Sequence, residues 1–196
     1  SYPSANYRSG TTKMTAVKTE VLITVLTYPH PSRGYLELVC TAGVTAAGDW
    51  VRLYPIDYRY RPIDQQFHKY QWIDVELDPS GSGNDNRKES HRPVLESIRL
   101  IREPLSTKDK WRARREIIDH LPHHTLNQLK ALHVQDKTSL GIVRPARVLD
   151  MEIRPAEGPE WKPEWQALFQ QRTLFGPPQK PLRKLPYTFH YIFECD

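Results

Sequence analysis

Two alternating runs set the register of the first half of the chain. Residues 50–54 read Trp-Val-Arg-Leu-Tyr, so Val51 and Leu53 point one way and Trp50, Arg52 and Tyr54 the other. The run before it, 35–44, carries Leu36, Leu38, Val39 and Cys40. Between them lies 45–49, with Gly48 where a hairpin turn wants a positive φ. The pattern predicts a β-hairpin. A β-branched run at 20–28 predicts a strand before it, and 68–77 predicts one after it. In the latter, Ile73, Val75 and Leu77 alternate with Trp72, Asp74 and Glu76. Residues 92–102 predict a fifth strand.

The period then changes. Ser106 or Thr107 can cap a helix from Lys108 to about His120, with Trp111, Ile117, Ile118 and Leu121 apolar. Pro122 interrupts it, and Leu126, Leu129 and Leu132 predict a second short helix. Residues 140–143 and 148–153 are strand-like, and 163–171 predict a third helix. The segment 175–186 holds four prolines and reads as extended. Tyr187, Phe189, Tyr191, Phe193 and Cys195 share one parity and predict a buried strand face.

Strands, then helices, then strands is not the βαβ alternation of a doubly wound sheet. The predicted class is α+β, mainly β: small antiparallel OB-like or PUA-like barrels with a helical insertion around 107–133. The expected organisation is a polar, non-native or disordered tail at 1–13, an N-terminal β-barrel at 14–104, the helical insertion at 105–134, and a C-terminal β/helix segment at 135–196.

Composition narrows the class. With 38% hydrophobic and 26% charged residues in 196, the chain can bury a sizeable core. No run reaches the roughly 18 apolar residues of a membrane span, so a cytoplasmic protein is expected. Setting aside Arg8 and Lys13 in the tail lowers the formal charge from +5 to +3, which permits a phosphate-rich partner without demanding one. Two cysteines, Cys40 and Cys195, are expected to be buried free thiols.

Candidate chemistry is sparse. His120, His123 and His124 cluster around Pro122 without acidic partners at ligand spacing. Asp74, Glu76 and Asp78 alternate as nuclease carboxylates can, or as acids on an exposed strand edge. Gly81-Ser82-Gly83 lacks the Lys-Ser/Thr and following helix of a phosphate loop. No catalytic residues, metal ligands or cofactors are assigned. What remains is basic-aromatic: Trp50, Arg52 and Tyr54 on one strand face, Tyr58, Arg59, Tyr60 and Arg61 directly after it, Lys69, Tyr70 and Trp72, and Arg112 and Arg115 on the basic helix. Arg planes and aromatic faces at this density are what unstacked bases pack on. The competing expectation is that Trp50 and Tyr54 lie under a second layer, with Arg52 paired to an acid.

Gly48-Asp49-Trp50-Val51-Arg52 resembles a strand motif of bacterial dual-OB-like domains, small paired barrels linked with prokaryotic conflict and defence proteins. Leu38-Val39-Cys40, Tyr70-Gln71-Trp72-Ile73, Asn86-Arg87-Lys88-Glu89-Ser90 and Ser139-Leu140-Gly141-Ile142-Val143 follow in the same order as that family's further pieces. The chain departs in having Leu53-Tyr54-Pro55 where the family places Pro directly after Arg. The resemblance implies nucleic-acid or nucleotide recognition by barrels, and carries over no catalytic residue. Residue pattern and resemblance together predict a non-catalytic module that binds DNA or RNA, as a single strand or through a modified base, in a defence or DNA-processing system. Loop 78–89 would gate the site, and a protein partner in a defence complex is also expected. The alternatives are a metal-dependent nuclease or nucleotide hydrolase, and a protein-interaction subunit.

Overall fold

The structure, a computed structural model, describes residues 16–34, 36–79, 81, 83, 85–158, 160–173 and 182–195. The tail at 1–13 and much of the proline-rich segment lie outside the described residues.

The strands in chain order are β1 (Val17–Leu26), β2 (His30–Ser32), β3 (Leu36–Leu38), β4 (Thr41–Val44), β5 (Trp50–Leu53), β6 (Trp72–Leu77), β7 (Ser90–His91) and β8 (Pro93–Leu100). After helix α1 (Lys108–Ile118) come β9 (His123–His124), α2 (Leu126–Asp136), β10 (Ile142–Val143), β11 (Arg147–Pro155), α3 (Pro163–Thr173) and β12 (Tyr187–Glu194). The fold is α+β and mainly β.

Six strands make the main sheet, in the order β7-β5-β4-β1-β6-β8. The β4–β5 hairpin forms as the alternation predicts, with Gly48 at φ +89 in its turn. Gly43 in β4 is required by packing: a Cβ there would lie 2.1 Å from the Leu22 carbonyl oxygen. β1 is central, so Val21, Leu22 and Ile23 are all fully buried although they point to alternating faces. One face carries Val21, Ile23, Val51, Leu53, Ile73, Val75 and Ile98, packed with Ile56 and Phe67 from the connection after β5. The other carries Leu22, Val44 and Trp72, with Trp50 at its margin, and is covered by Leu121 and by Ile117 and Ile118 near the end of α1.

The expected antiparallel barrel is corrected on two points. The sheet is mixed, because β7 runs parallel to β5. It is also open among the described residues: Ser90 and His91 pair with β5, then the chain changes partner at Arg92, and 93–100 pairs with β6. One bent segment thus lies at both edges, and no closed barrel is seen among the described residues. The same order places β6 inside the sheet, between β1 and β8, so its acids do not line a sheet edge. Asp74 instead pairs with Lys18 of β1 at 2.8 Å.

Two helices, α1 and α2, form within the stretch where the sequence predicts them. Ser106 Oγ accepts from the Lys108 amide at 3.0 Å, while Asp109, Lys110 and Trp111 take positive φ before the regular turns begin. α2 opens with a capping box: Thr125 Oγ1 accepts from the Gln128 amide, and the Gln128 side chain accepts from the Thr125 amide.

Two further expectations fail. Cys40 is exposed, because it sits in the break between β3 and β4 rather than within a strand, and Cys195 is half-buried. Among the described residues β12 pairs only with β11, and Tyr187, Phe189 and Tyr191 are exposed instead of buried. No helix among the described residues is long and apolar enough to cross a membrane.

Candidate nucleic-acid interface

The hairpin face of Trp50, Arg52 and Tyr54 points away from Val51 and Leu53, as the alternation requires, but it is half-buried. Trp50 packs at the margin of the cluster under α1. The Tyr54 amide donates to the His91 carbonyl at 3.0 Å. Arg52 Nη2 donates to Ser139 Oγ at 3.0 Å, and Ser139 Oγ donates on to Glu89 Oε2 at 2.9 Å. Burial, then the neighbouring Arg87 guanidinium, push the Arg52 pKa down, although a guanidinium stays charged at any ordinary pH. Its Nε is enclosed without a hydrogen-bond partner.

Residues 58–61 are likewise engaged in the fold. Tyr58–Tyr60 form a 3-10 turn, and the Tyr58 hydroxyl donates to the Phe67 carbonyl. Arg59 Nη1 donates to Glu37 Oε2 at 3.0 Å, where Glu37 is only 2% exposed. Tyr60 is half-buried in the same turn. Arg61 donates to the Gln65 side chain and to the Leu95 carbonyl, and faces Asp57 at 3.7 Å.

An aromatic-basic group that meets solvent forms elsewhere. Tyr70, at φ +61, and Trp111 meet edge-to-face with centroids 6.0 Å apart. The Arg114 guanidinium lies over both rings, 4.2 Å from the Tyr70 centroid and 4.9 Å from that of Trp111. Arg114 Nε is oriented by the Leu105 carbonyl at 2.9 Å, and the Leu105 amide in turn donates to the Tyr70 carbonyl at 2.7 Å. Nearby in the sheet, Arg102 lies over the buried Trp72 ring at 5.6 Å. Trp111 remains 49% exposed.

Of the predicted residues, the structure therefore brings the stretch around Lys69 and Trp72 together with the basic helix, while residues 58–61 belong to the layer on the opposite sheet face. Lys69 is exposed. Arg112 and Arg115 are exposed on α1 and pair along the helix with Asp109 and Asp119 at 3.2 and 3.0 Å. Sequence reasoning missed Arg102, Trp111 and Arg114 as site residues. The signal for two of them was present in part: Trp111 and Arg114 lie three apart in the segment read as a basic helix, although Trp111 itself takes a positive φ.

The described part of loop 78–89 is tied down. Lys88 Nζ pairs with Asp136 at the end of α2, and the Lys88 amide donates to the Lys137 carbonyl. Asp85 binds Arg87 and Ser90, and these bonds, the Arg87 guanidinium foremost, hold its carboxyl well below the usual range. The loop borders an open hollow of about 540 Å³ lined in part by Pro79, Arg87, Ser90 and His91. Burial pushes the His91 imidazole down. His120 is bonded through Nδ1 to the Glu116 carbonyl, and His123 and His124 pair with β10. Among the described residues no group of three or more His, Cys, Asp or Glu could hold a metal ion.

The fold is thus a mixed sheet between two apolar layers, with an exposed aromatic-cation group where helix α1 meets the sheet. The chain belongs to the family described as domain of unknown function DUF8758, which matches residues 17–120, the whole main sheet and α1. Residues 122–196 match a second domain of unknown function, DUF8757. No curated protein and no solved structure matches the chain.

Proposed function

We propose that the protein is a nucleic-acid-binding module that holds a single strand along α1, with a base stacked on Trp111 and phosphates met by the cations around it. The supporting observation is the Tyr70–Arg114–Trp111 group: an indole about half open to water, braced from behind by a guanidinium. A base stacked on such a ring contributes about 1–3 kcal/mol. The charge pattern supports the same reading. Five of the eleven residues of α1 are basic, two of them in its first turn. Lys69, Arg112 and Arg115 supply the neighbouring charge. In this reading Trp50 and Trp72 hold α1 in place and do not meet a base. The resemblance to dual-OB-like domains sets such a module in bacterial defence or DNA processing.

The test is fluorescence anisotropy with labelled single- and double-stranded DNA and RNA at two salt concentrations. Binding should weaken with salt, and Trp111→Ala should weaken it about tenfold. Arg112→Ala should lower the salt slope by about one. Absence of binding to every probe at low salt, or full binding by Trp111→Ala, would overturn the reading.

A further inference from the structure

β11 and β12 form a two-stranded ribbon that no third strand extends among the described residues. Cross-strand partners in such a pair share a face. Met151 stands opposite Tyr191, Ile153 opposite Phe189 and Pro155 opposite Tyr187; past a bulge, Val148 stands opposite Phe193. That whole face is apolar. Across the ribbon, Glu152 faces His190 and Arg154 faces Thr188, with ion pairs Arg154–Glu152 and Arg147–Glu194. An amphipathic ribbon of this kind is built to be covered on one side. Yet Tyr191 is 66% and Phe189 62% exposed.

We propose that this face is the contact of a symmetric dimer, in which the ribbon packs face to face on the ribbon of a second copy of the chain. Three observations favour a second copy over another occupant. The first is size: Val148, Met151, Ile153, Tyr187, Phe189 and Tyr191 are each between 46% and 66% exposed on one continuous face, the kind of contiguous apolar patch that marks a protein interface rather than scattered surface residues. The second is charge. All ionised side chains of the ribbon lie on the other face, where ion pairs already engage two of its arginines, so nothing on the apolar face selects a charged partner or a phosphate backbone. The third is shape. Aliphatic side chains line β11 and aromatic ones line β12. A two-fold axis running along the ribbon lays β11 of one copy over β12 of the other. Every aliphatic residue then meets an aromatic one, the large-against-small fit that stacked sheets need at their ~10 Å spacing.

The test is sedimentation velocity of the full chain across about 1–100 µM. The expected result is a discrete species of twice the chain mass. Phe189→Asp should weaken association about 100-fold, as loss of a central anchor does. Thr188→Asp, on the opposite face, should leave it unchanged. Far-UV circular dichroism checks that the variants fold, and Tyr191→Ser carries the same test should Phe189→Asp not fold. A monomer throughout the range, an open-ended aggregate, or a dimer indifferent to Phe189→Asp and Tyr191→Ser would overturn the proposal. So would a monomer whose nucleic-acid binding is lost in Tyr191→Ser, which would make the face a platform for bases.

Discussion

The Glu89 carboxylate holds Ser139 by three bonds: the Ser139 amide lies 2.9 and 3.2 Å from its two oxygens, and the Ser139 hydroxyl 2.9 Å from Oε2. The Leu140 amide adds a fourth at 3.3 Å, and Arg52 reaches the same hydroxyl from β5. Glu89 is 7% exposed, so these donors have little water to fall back on. The clasp joins the segment matched by the first family to the segment matched by the second.

Removing the acceptor should therefore cost more than removing one donor. Glu89→Ala leaves the half-buried Ser139 and Leu140 amides and the nearby Arg52 charge without their acceptor, and should destabilise by about 2–3 kcal/mol. For a chain of this size that lowers Tm by about 4–12 °C. Ser139→Ala deletes only the hydroxyl and should cost about 1 kcal/mol. Urea melts of both variants decide it. Equal losses would show that the hydroxyl, not the carboxylate, is the hub.

Arg59 gives a prediction of opposite character to a phosphate contact. Its Nη1 is 3.0 Å from Glu37 Oε2, and the other Glu37 oxygen is buried with no hydrogen-bond partner. Arg59→Ala strands a buried carboxylate and should cost about 3 kcal/mol. Adding Glu37→Gln removes the stranded charge and should recover part of the loss. A double-mutant cycle by chemical denaturation measures the coupling. If Arg59→Ala keeps wild-type stability and loses nucleic-acid binding, the residue is a ligand contact instead.

Trp50 and Trp111 separate stability from recognition. Trp50 packs beside Leu22, Val44 and Trp72, so Trp50→Ala should destabilise by about 2–3 kcal/mol, somewhat below the range for a fully buried ring. Its folded fraction should bind labelled single strands within about twofold of wild type. Trp111→Ala should do the reverse, losing binding while costing about 1 kcal/mol of stability through its contacts with Tyr70 and Arg114. Denaturation and anisotropy on the same two variants check both halves.

The strand alternation and the turn chemistry were legible because each is local. Val51 and Leu53 against Trp50 and Arg52, Gly48 in its turn, and the two-helix insertion all follow from spacing within a dozen residues. What spacing does not carry is which face meets solvent. Trp50 and Arg52 are covered by side chains from residues 117, 121 and 139, far along the chain, so an aromatic-cation stripe that reads as a surface is largely interior. The ribbon errs in the other sense. The parity of Tyr187, Phe189 and Tyr191 reads as a buried face, whereas in the structure all three are exposed. The Tyr70–Arg114–Trp111 group combines both problems. The closeness of Trp111 and Arg114 in sequence was visible, but the positive φ of Trp111 was not, and Tyr70 arrives from another element.

Acid should unfold the protein in two stages. The half-buried His91 has its imidazole pKa pushed below the ordinary value of 6.5 by partial desolvation, so below that pH the unfolded chain takes the proton first and stability begins to fall. Asp85 and Asp136 are carboxylates with depressed pKa, Asp136 to about 2 through Lys88 and then Thr138. A depressed carboxylate contributes stability that is complete above the unfolded value near 3.9 and disappears as pH drops through the folded one. The steeper loss should therefore lie between about pH 4 and pH 2. Urea melts from pH 7 to pH 2 give the profile. Asp136→Asn should lower stability at pH 7 and flatten the acid limb, because the unfolded chain then has one fewer proton to gain. His91→Gln should remove the earlier decline and leave the acid limb in place. A profile level from pH 7 to pH 3 in the wild type would contradict both assignments.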